Sequence, residues 1–115
     1  MRHIEEDIQM ACVKWFDYTY PKLSKLLHHS PNGGKRNVRE AARFKRMGVR
    51  AGFPDLILLY PVKMFNCLCI EMKSDKGTQT INQMEWAELV KRAGAKYVIC
   101  RSLDEFITEI NAYFS

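Results

Sequence analysis

Two apolar runs, joined by a short connection and tipped with acidic residues, constrain this chain more than any other feature. Pro54-Asp55 leads into Leu56-Ile57-Leu58-Leu59-Tyr60, and Asn66-Cys67-Leu68-Cys69-Ile70-Glu71-Met72-Lys73 follows after Pro61–Phe65. The first run is continuous and apolar, as expected of a strand covered on both faces. The second alternates, so Glu71 and Lys73 share a face with Cys67 and Cys69 while Leu68, Ile70 and Met72 point the other way. Residues two apart on a strand are separated by roughly 6.5–7 Å. A carboxylate and an ammonium therefore stand over one point.

If the runs pair as neighbours, Asp55 comes close to Glu71. Carboxylates pushed together repel, and one gains a proton unless a cation intervenes. Oxygen ligands suit a hard divalent ion, magnesium or manganese. The plainer reading is a surface Asp before a strand and a Glu/Lys pair on a solvated face. It fits any single E-x-K, and fits less well here because the pair ends a strand otherwise built of Cys, Leu and Ile. A zinc centre from Cys67, Cys69, His28 and His29 has poor ligand spacing, since C-x-C lacks a second spaced pair.

Pro54-Asp55, a strand, and Glu71-x-Lys73 together form the signature of the PD-(D/E)XK nuclease superfamily. The longer stretch Gly48-Val49-Arg50-Ala51-Gly52-Phe53-Pro54-Asp55-Leu56 closely resembles the VRR-NUC family, the virus-type replication-repair nuclease domain. The resemblance extends over nearly the whole chain. It implies an α/β, restriction-endonuclease-like αβββαβ core and a divalent-metal-dependent DNA endonuclease. Asp55 and Glu71 would ligate Mg2+ or Mn2+ with the carbonyl of Met72, and Lys73 would act on the attacking water or the phosphate. The family's first helix carries an active-site acid in a Glu-x-x-Ile-Gln context, which Glu5 matches, with Glu6 and Asp7 as neighbours. A helix glutamine supporting the site is matched by Gln83. Stand-alone members of viral type are similar to Holliday junction resolvases acting as homodimers, in the host cytoplasm where phage-encoded. Larger repair members suggest a flap or single-strand nuclease instead.

The remaining chain reads consistently with that core. Ile4, Ile8, Ala11, Cys12 and Trp15 follow helical spacing over 4–19, and Pro21 marks the end. On its own chemistry Glu5 is a first-turn acid favoured by the helix dipole. Lys25–His29 suggests a short strand closed by the turn cluster Ser30-Pro31-Asn32-Gly33-Gly34. Asn37 is placed to cap a helix through about Met47, with Gly48 as its stop and Val38, Ala41 and Ala42 as its apolar side. Thr80-Ile81-Asn82-Gln83 has the form of a capping box, which is Gln83's second reading. Lys96–Cys100 is the last strand, and Ser102-Leu103-Asp104-Glu105 a second capping box before the closing helix. The order suggests a mixed sheet flanked by helices.

Length and composition agree. The 115 residues suit one domain, 1–115, and 47% hydrophobic residues support a globular fold. No apolar run approaches the ~20 residues of a membrane span, and the first residues lack an apolar signal core, so the expectation is a cytoplasmic protein. Cys12 and Cys100 sit at core positions. The net charge of +5 is concentrated in 35–50, where Lys35, Arg36, Arg39, Arg43, Lys45, Arg46 and Arg50 face only Glu40. Such a block suggests a polyanion partner, DNA first, with Lys35, Arg36, Arg39, Arg43, Arg46 and Arg50 on the backbone. A solvated helix face is its plain alternative. Two further classes compete with the enzyme: a DNA-binding module without catalysis, and an interaction subunit of a larger assembly. For the homodimer the residues offer indirect support: aromatic residues among Trp15, Phe16, Tyr18, Tyr20 and Phe65 left outside a small core would mark an interface, while core packing is the plainer reading of each one singly.

Overall fold

The structure, a computed structural model, describes residues 3–31 and 37–115. Lys35 and Arg36, and most of the turn cluster at 30–34, lie outside the described residues. The elements run α1 (Ile4–Thr19), a 3-10 helix (Pro21–Leu26), β1 (Leu27–His29), α2 (Val38–Arg46), β2 (Leu56–Leu58), β3 (Leu68–Met72), α3 (Ile81–Arg92), β4 (Lys96–Cys100) and α4 (Leu103–Phe114). The strands form a mixed sheet in the order β1-β2-β3-β4. β1 and β3 flank β2 antiparallel, and β4 joins β3 in parallel after the α3 crossover.

Alternation divides β3 between two environments. Leu68, Ile70 and Met72 join Leu56, Leu58, Val98 and Cys100 in a core closed by Cys12 and Phe16 of α1 and Phe106, Ile110 and Tyr113 of α4. Cys69 and Glu71 face the other way, toward α3, where Ala87 is buried. All five residues of β3 are buried, as a central strand covered on both faces requires. β2 is shorter than its apolar run. Leu56 and Leu58 are buried, but Leu59, whose N–H still reaches the Leu26 carbonyl, is exposed.

Of the expected strand at Lys25–His29, Leu27–His29 pairs with β2, while Lys25 and Leu26 belong to the end of the 3-10 helix. Pro21 at its first position presets the backbone for a turn of helix and lacks the N–H that a ladder needs. Most of the aromatic surplus is absorbed by the layer between α1 and α4. Trp15 meets Phe106 and Tyr20 edge-on, Phe16 and Phe114 pack on Tyr20, and Phe65 stacks on Tyr113. Tyr18 alone of the five stays outside, 89% exposed.

α2 departs from its expected packing. Asn37 caps it through the Glu40 N–H at 2.7 Å, and Gly48 ends it at φ +109°. Its supposed apolar side is bare: Val38 is 87% exposed, and no residue of the helix is buried. Two alanines and one valine carry too little apolar area to hold a helix against the body. Phe44 is the half-buried aromatic residue of the helix. No helix among the described residues is long and apolar enough to cross a membrane.

Candidate active site

The register of β2 on β3 sets Leu56 opposite Ile70, which brings Asp55 beside Glu71. Asp55 Oδ2 accepts the Met72 N–H at 2.7 Å. A strand residue's N–H and C=O leave on the same edge, so the Met72 carbonyl also faces the Asp55 side, while its side chain enters the core. The Asp55 carbonyl accepts Ser30 N–H and His29 Nδ1, which ties β1 to this end of the sheet.

Glu71 is only 1% exposed. Gln83 Nε2 donates to its Oε2 at 2.9 Å, and the Tyr97 hydroxyl donates to its Oε1 at 3.3 Å. Burial first, and then a hydrogen bond and charge repulsion from Asp55, push its pKa up to about 8. Lys73 and Tyr97 oppose that rise. In the absence of a cation Glu71 therefore keeps its proton up to near neutral pH. That is the chemistry of a paired-carboxylate cation site, and Asp55, Glu71 and the Met72 carbonyl form an all-oxygen set suited to it. Among the described residues, no cluster of three or more His, Cys, Asp or Glu side chains is arranged to hold a metal.

Lys73 continues the ladder through its N–H to the Cys100 carbonyl and is 7% exposed, though charged. None of the ion pairs among the described residues uses it. Beyond it the chain turns through Ser74–Gly77, and α1 reaches this turn. Glu5 Oε2 accepts the Ser74 N–H at 3.2 Å, whereas Glu6 turns to His3 at 2.8 Å. Glu5 is thus the first-helix acid that meets the turn beside Lys73.

Gln83 uses both ends of its amide. Its Oε1 accepts the Thr80 N–H at 2.9 Å as half of a complete capping box, and its Nε2 serves Glu71. The expected second box is only half formed. Ser102 Oγ accepts the Glu105 N–H, but Glu105 reaches back to the Arg101 N–H instead of that of Ser102.

Three participants were missed by sequence reasoning: Tyr97, Gln79 and Arg101. Gln79 Nε2 donates to the Tyr97 hydroxyl at 2.9 Å. Arg101 donates to the Ser74 and Gly77 carbonyls at 2.8 and 2.7 Å, fixing the turn that Glu5 and Lys73 flank. Tyr97 had one available signal: it is the hydroxyl-bearing residue of β4, at an odd position in register with Cys69.

The stretch before Asp55 is pinned to α3. Trp86 Nε1 donates to the Ala51 carbonyl, and Phe53 meets the Trp86 ring edge-on. Gly52 has φ +83°, and a Cβ there would lie 2.6 Å from the Asn82 carbonyl carbon and 2.8 Å from Gln83 N. Gly52→Ala is therefore expected to cost about 1–3 kcal/mol and to part Asp55 from Gln83. Chemical denaturation reads the first effect. Unaltered stability would show that this packing is dispensable.

The sequence profile of the VRR-NUC domain family matches residues 3–104. Among solved structures, a VRR-NUC domain protein is 32% identical, with a TM-score of 0.82 over 96% of this chain and 87% of its own. No curated protein matches.

Proposed function

The chain belongs to the VRR-NUC family, and so is a nuclease of the PD-(D/E)XK type acting on DNA; from that premise we propose a divalent-cation-dependent endonuclease that resolves four-way junctions as a homodimer. The observation that carries the cation dependence is the Asp55–Glu71 pair, two carboxyls set side by side by the β2–β3 register, with Asp55 on the Met72 N–H. When bound by Asp55, Glu71 and the Met72 carbonyl, Mg2+ or Mn2+ supplies a nucleophile at neutral pH and neutralises phosphate charge. Gln83 holds Glu71 in place for this. Lys73, its stem enclosed at the strand end, presents an ammonium to the charge developing on the phosphate. Glu5 and Arg101 fix the turn that follows Lys73. A binding module without catalysis has no use for two carboxylates and a lysine enclosed together, since they add repulsion and desolvation without touching the phosphates.

The dimer reading rests on the reaction and on α1. Paired incisions on opposing strands need two sites, and a two-fold assembly supplies them. Met10 and Tyr18 of α1 are exposed beside Val13, apolar surface of the kind that interfaces use. The test is cleavage of labelled junction, flap and linear duplex with Mg2+, Mn2+ or EDTA, together with light scattering at micromolar protein. Symmetric junction cuts by a dimer, abolished by EDTA, are expected. A monomer that cuts flaps and leaves junctions whole would replace this reading with that of a flap nuclease.

Arg39, Arg43 and Arg46 are exposed on the protruding α2. We place them, with Arg50 and with Lys35 and Arg36 beyond the described residues, on the DNA backbone. Replacing Arg39, Arg43 and Arg46 with Ala should weaken binding to all sequences alike. The log–log salt slope should flatten by about 0.9 for each phosphate that is no longer neutralised. An unchanged slope would route the DNA elsewhere.

A further inference from the structure

Both oxygens of Glu71 are held, but by different devices. Gln83 serves Oε2 from the α3 capping box. Oε1 depends on Tyr97, which no part of the Asp55/Glu71/Lys73 pattern includes. In the parallel register of β3 and β4, Cys69 pairs with Tyr97 and Glu71 with Ile99, so Tyr97 stands one step before Glu71 on the same face. Tyr97 is half-buried in a strand that is otherwise Lys, Val, Ile and Cys. A phenylalanine would fill the same space, and enclosing a hydroxyl costs free energy unless it is bonded.

The hydroxyl is bonded at both ends, with a fixed direction. Gln79 Nε2 lies 2.9 Å from the Tyr97 oxygen. An amide nitrogen only donates, so it occupies a hydroxyl lone pair, and the single hydroxyl proton is left for Glu71 Oε1 at 3.3 Å. That distance is long for an O–H···O bond, and ionisation of Glu71 strengthens such a bond. Burial and the neighbouring Glu71 charge raise the Tyr97 pKa, so the phenol keeps its proton.

We propose that Tyr97 is a positioning residue, aimed by Gln79, which orients the Glu71 carboxyl and thereby sets the affinity of the site for its divalent cation. This rests on the reading of Asp55 and Glu71 as cation ligands. Neither Tyr97 nor Gln79 touches substrate in this scheme; both act through Glu71. A hydrogen bond to a charged group has about a tenfold effect on an equilibrium, and often more. Gln79 acts one step further away, so its effect is smaller and exists only while the Tyr97 hydroxyl is present.

The test is calorimetric titration of the DNA-free protein with MnCl2, for wild type, Tyr97→Phe, Gln79→Leu and the double variant. Tyr97→Phe should weaken Mn2+ binding about tenfold, and Gln79→Leu about threefold. The double variant should match Tyr97→Phe. Cleavage by Tyr97→Phe should need proportionally more Mn2+ to reach half of its own maximal rate. A merely structural tyrosine would lower thermal stability without moving the Mn2+ constant. Mn2+ binding by Tyr97→Phe as tight as wild type, or an additive loss in the double variant, overturns the proposal. Absence of Mn2+ binding by the wild type would instead remove the Asp55/Glu71 cation reading beneath it. Should Tyr97→Phe fail to fold, Gln79→Leu, altered outside the strand, decides the question by its own Mn2+ constant.

Discussion

Asp55→Asn should lower junction cleavage on the order of a thousandfold, because a cation ligand contributes several kcal/mol to phosphate hydrolysis. Fold and DNA affinity should survive. Asparagine has the same shape, and its side-chain oxygen can still accept the Met72 N–H that Asp55 holds at 2.7 Å. The cation-free variant should even be more stable than wild type, since the substitution removes the carboxyl that repels Glu71. Three readings together separate the roles: single-turnover cleavage in Mg2+, DNA binding in EDTA, and melting temperature in EDTA. Cleavage near the wild-type rate would end the assignment of Asp55 as a ligand. Loss of binding together with cleavage would make it a part of the DNA surface or of the fold.

The legible parts of the site are those that local pattern encodes. The apolar run after Asp55 and the alternation before Lys73 specify two strands and their faces, and antiparallel pairing then leaves little choice but to bring Asp55 to Glu71. Gln83 is legible twice, as a capping residue and as a site residue, because its amide has a donor and an acceptor that serve different neighbours. Tyr97 and Gln79 are hidden for a physical reason. Their link to Glu71 depends on the register between β3 and β4, which is set across the whole α3 crossover and carries no local signature. Arg101 is hidden likewise, since its partners are backbone carbonyls of a turn 24 to 27 positions earlier. The reverse error concerns α2. Helical spacing of Val38, Ala41 and Ala42 suggests a buried side, but spacing states only which residues share a face. Whether that face is covered depends on apolar area, and this helix has little. Its bareness suits a segment that meets polyanion along an exposed basic surface.

Cation-free protein should lose stability as the pH rises from about 5 to 8. Glu71 releases its proton near the usual 4.5 in the unfolded chain, but holds it to about 8 when folded. Between those values the folded state binds more protons than the unfolded state. The unfolding free energy therefore falls with rising pH, by at most about 1.4 kcal/mol per unit across the window. Below 4.5 the contribution is fully present, and above about 8 it is gone. The cause is burial first and Asp55 second, so a cation that neutralises the pair should reverse the effect: MnCl2 at pH 8 should restore the melting temperature, and should do little at pH 5, where protons occupy the site. Glu71→Gln cannot titrate and should flatten the profile relative to wild type, a comparison that cancels titration elsewhere in the chain. Melting curves at pH 5, 6, 7 and 8, in EDTA and in MnCl2, read all of this directly. A wild-type profile in EDTA that is flat, or one equally steep in Glu71→Gln, would show that Glu71 does not hold its proton beside Asp55. The pair would then lack the strain that makes it a cation site.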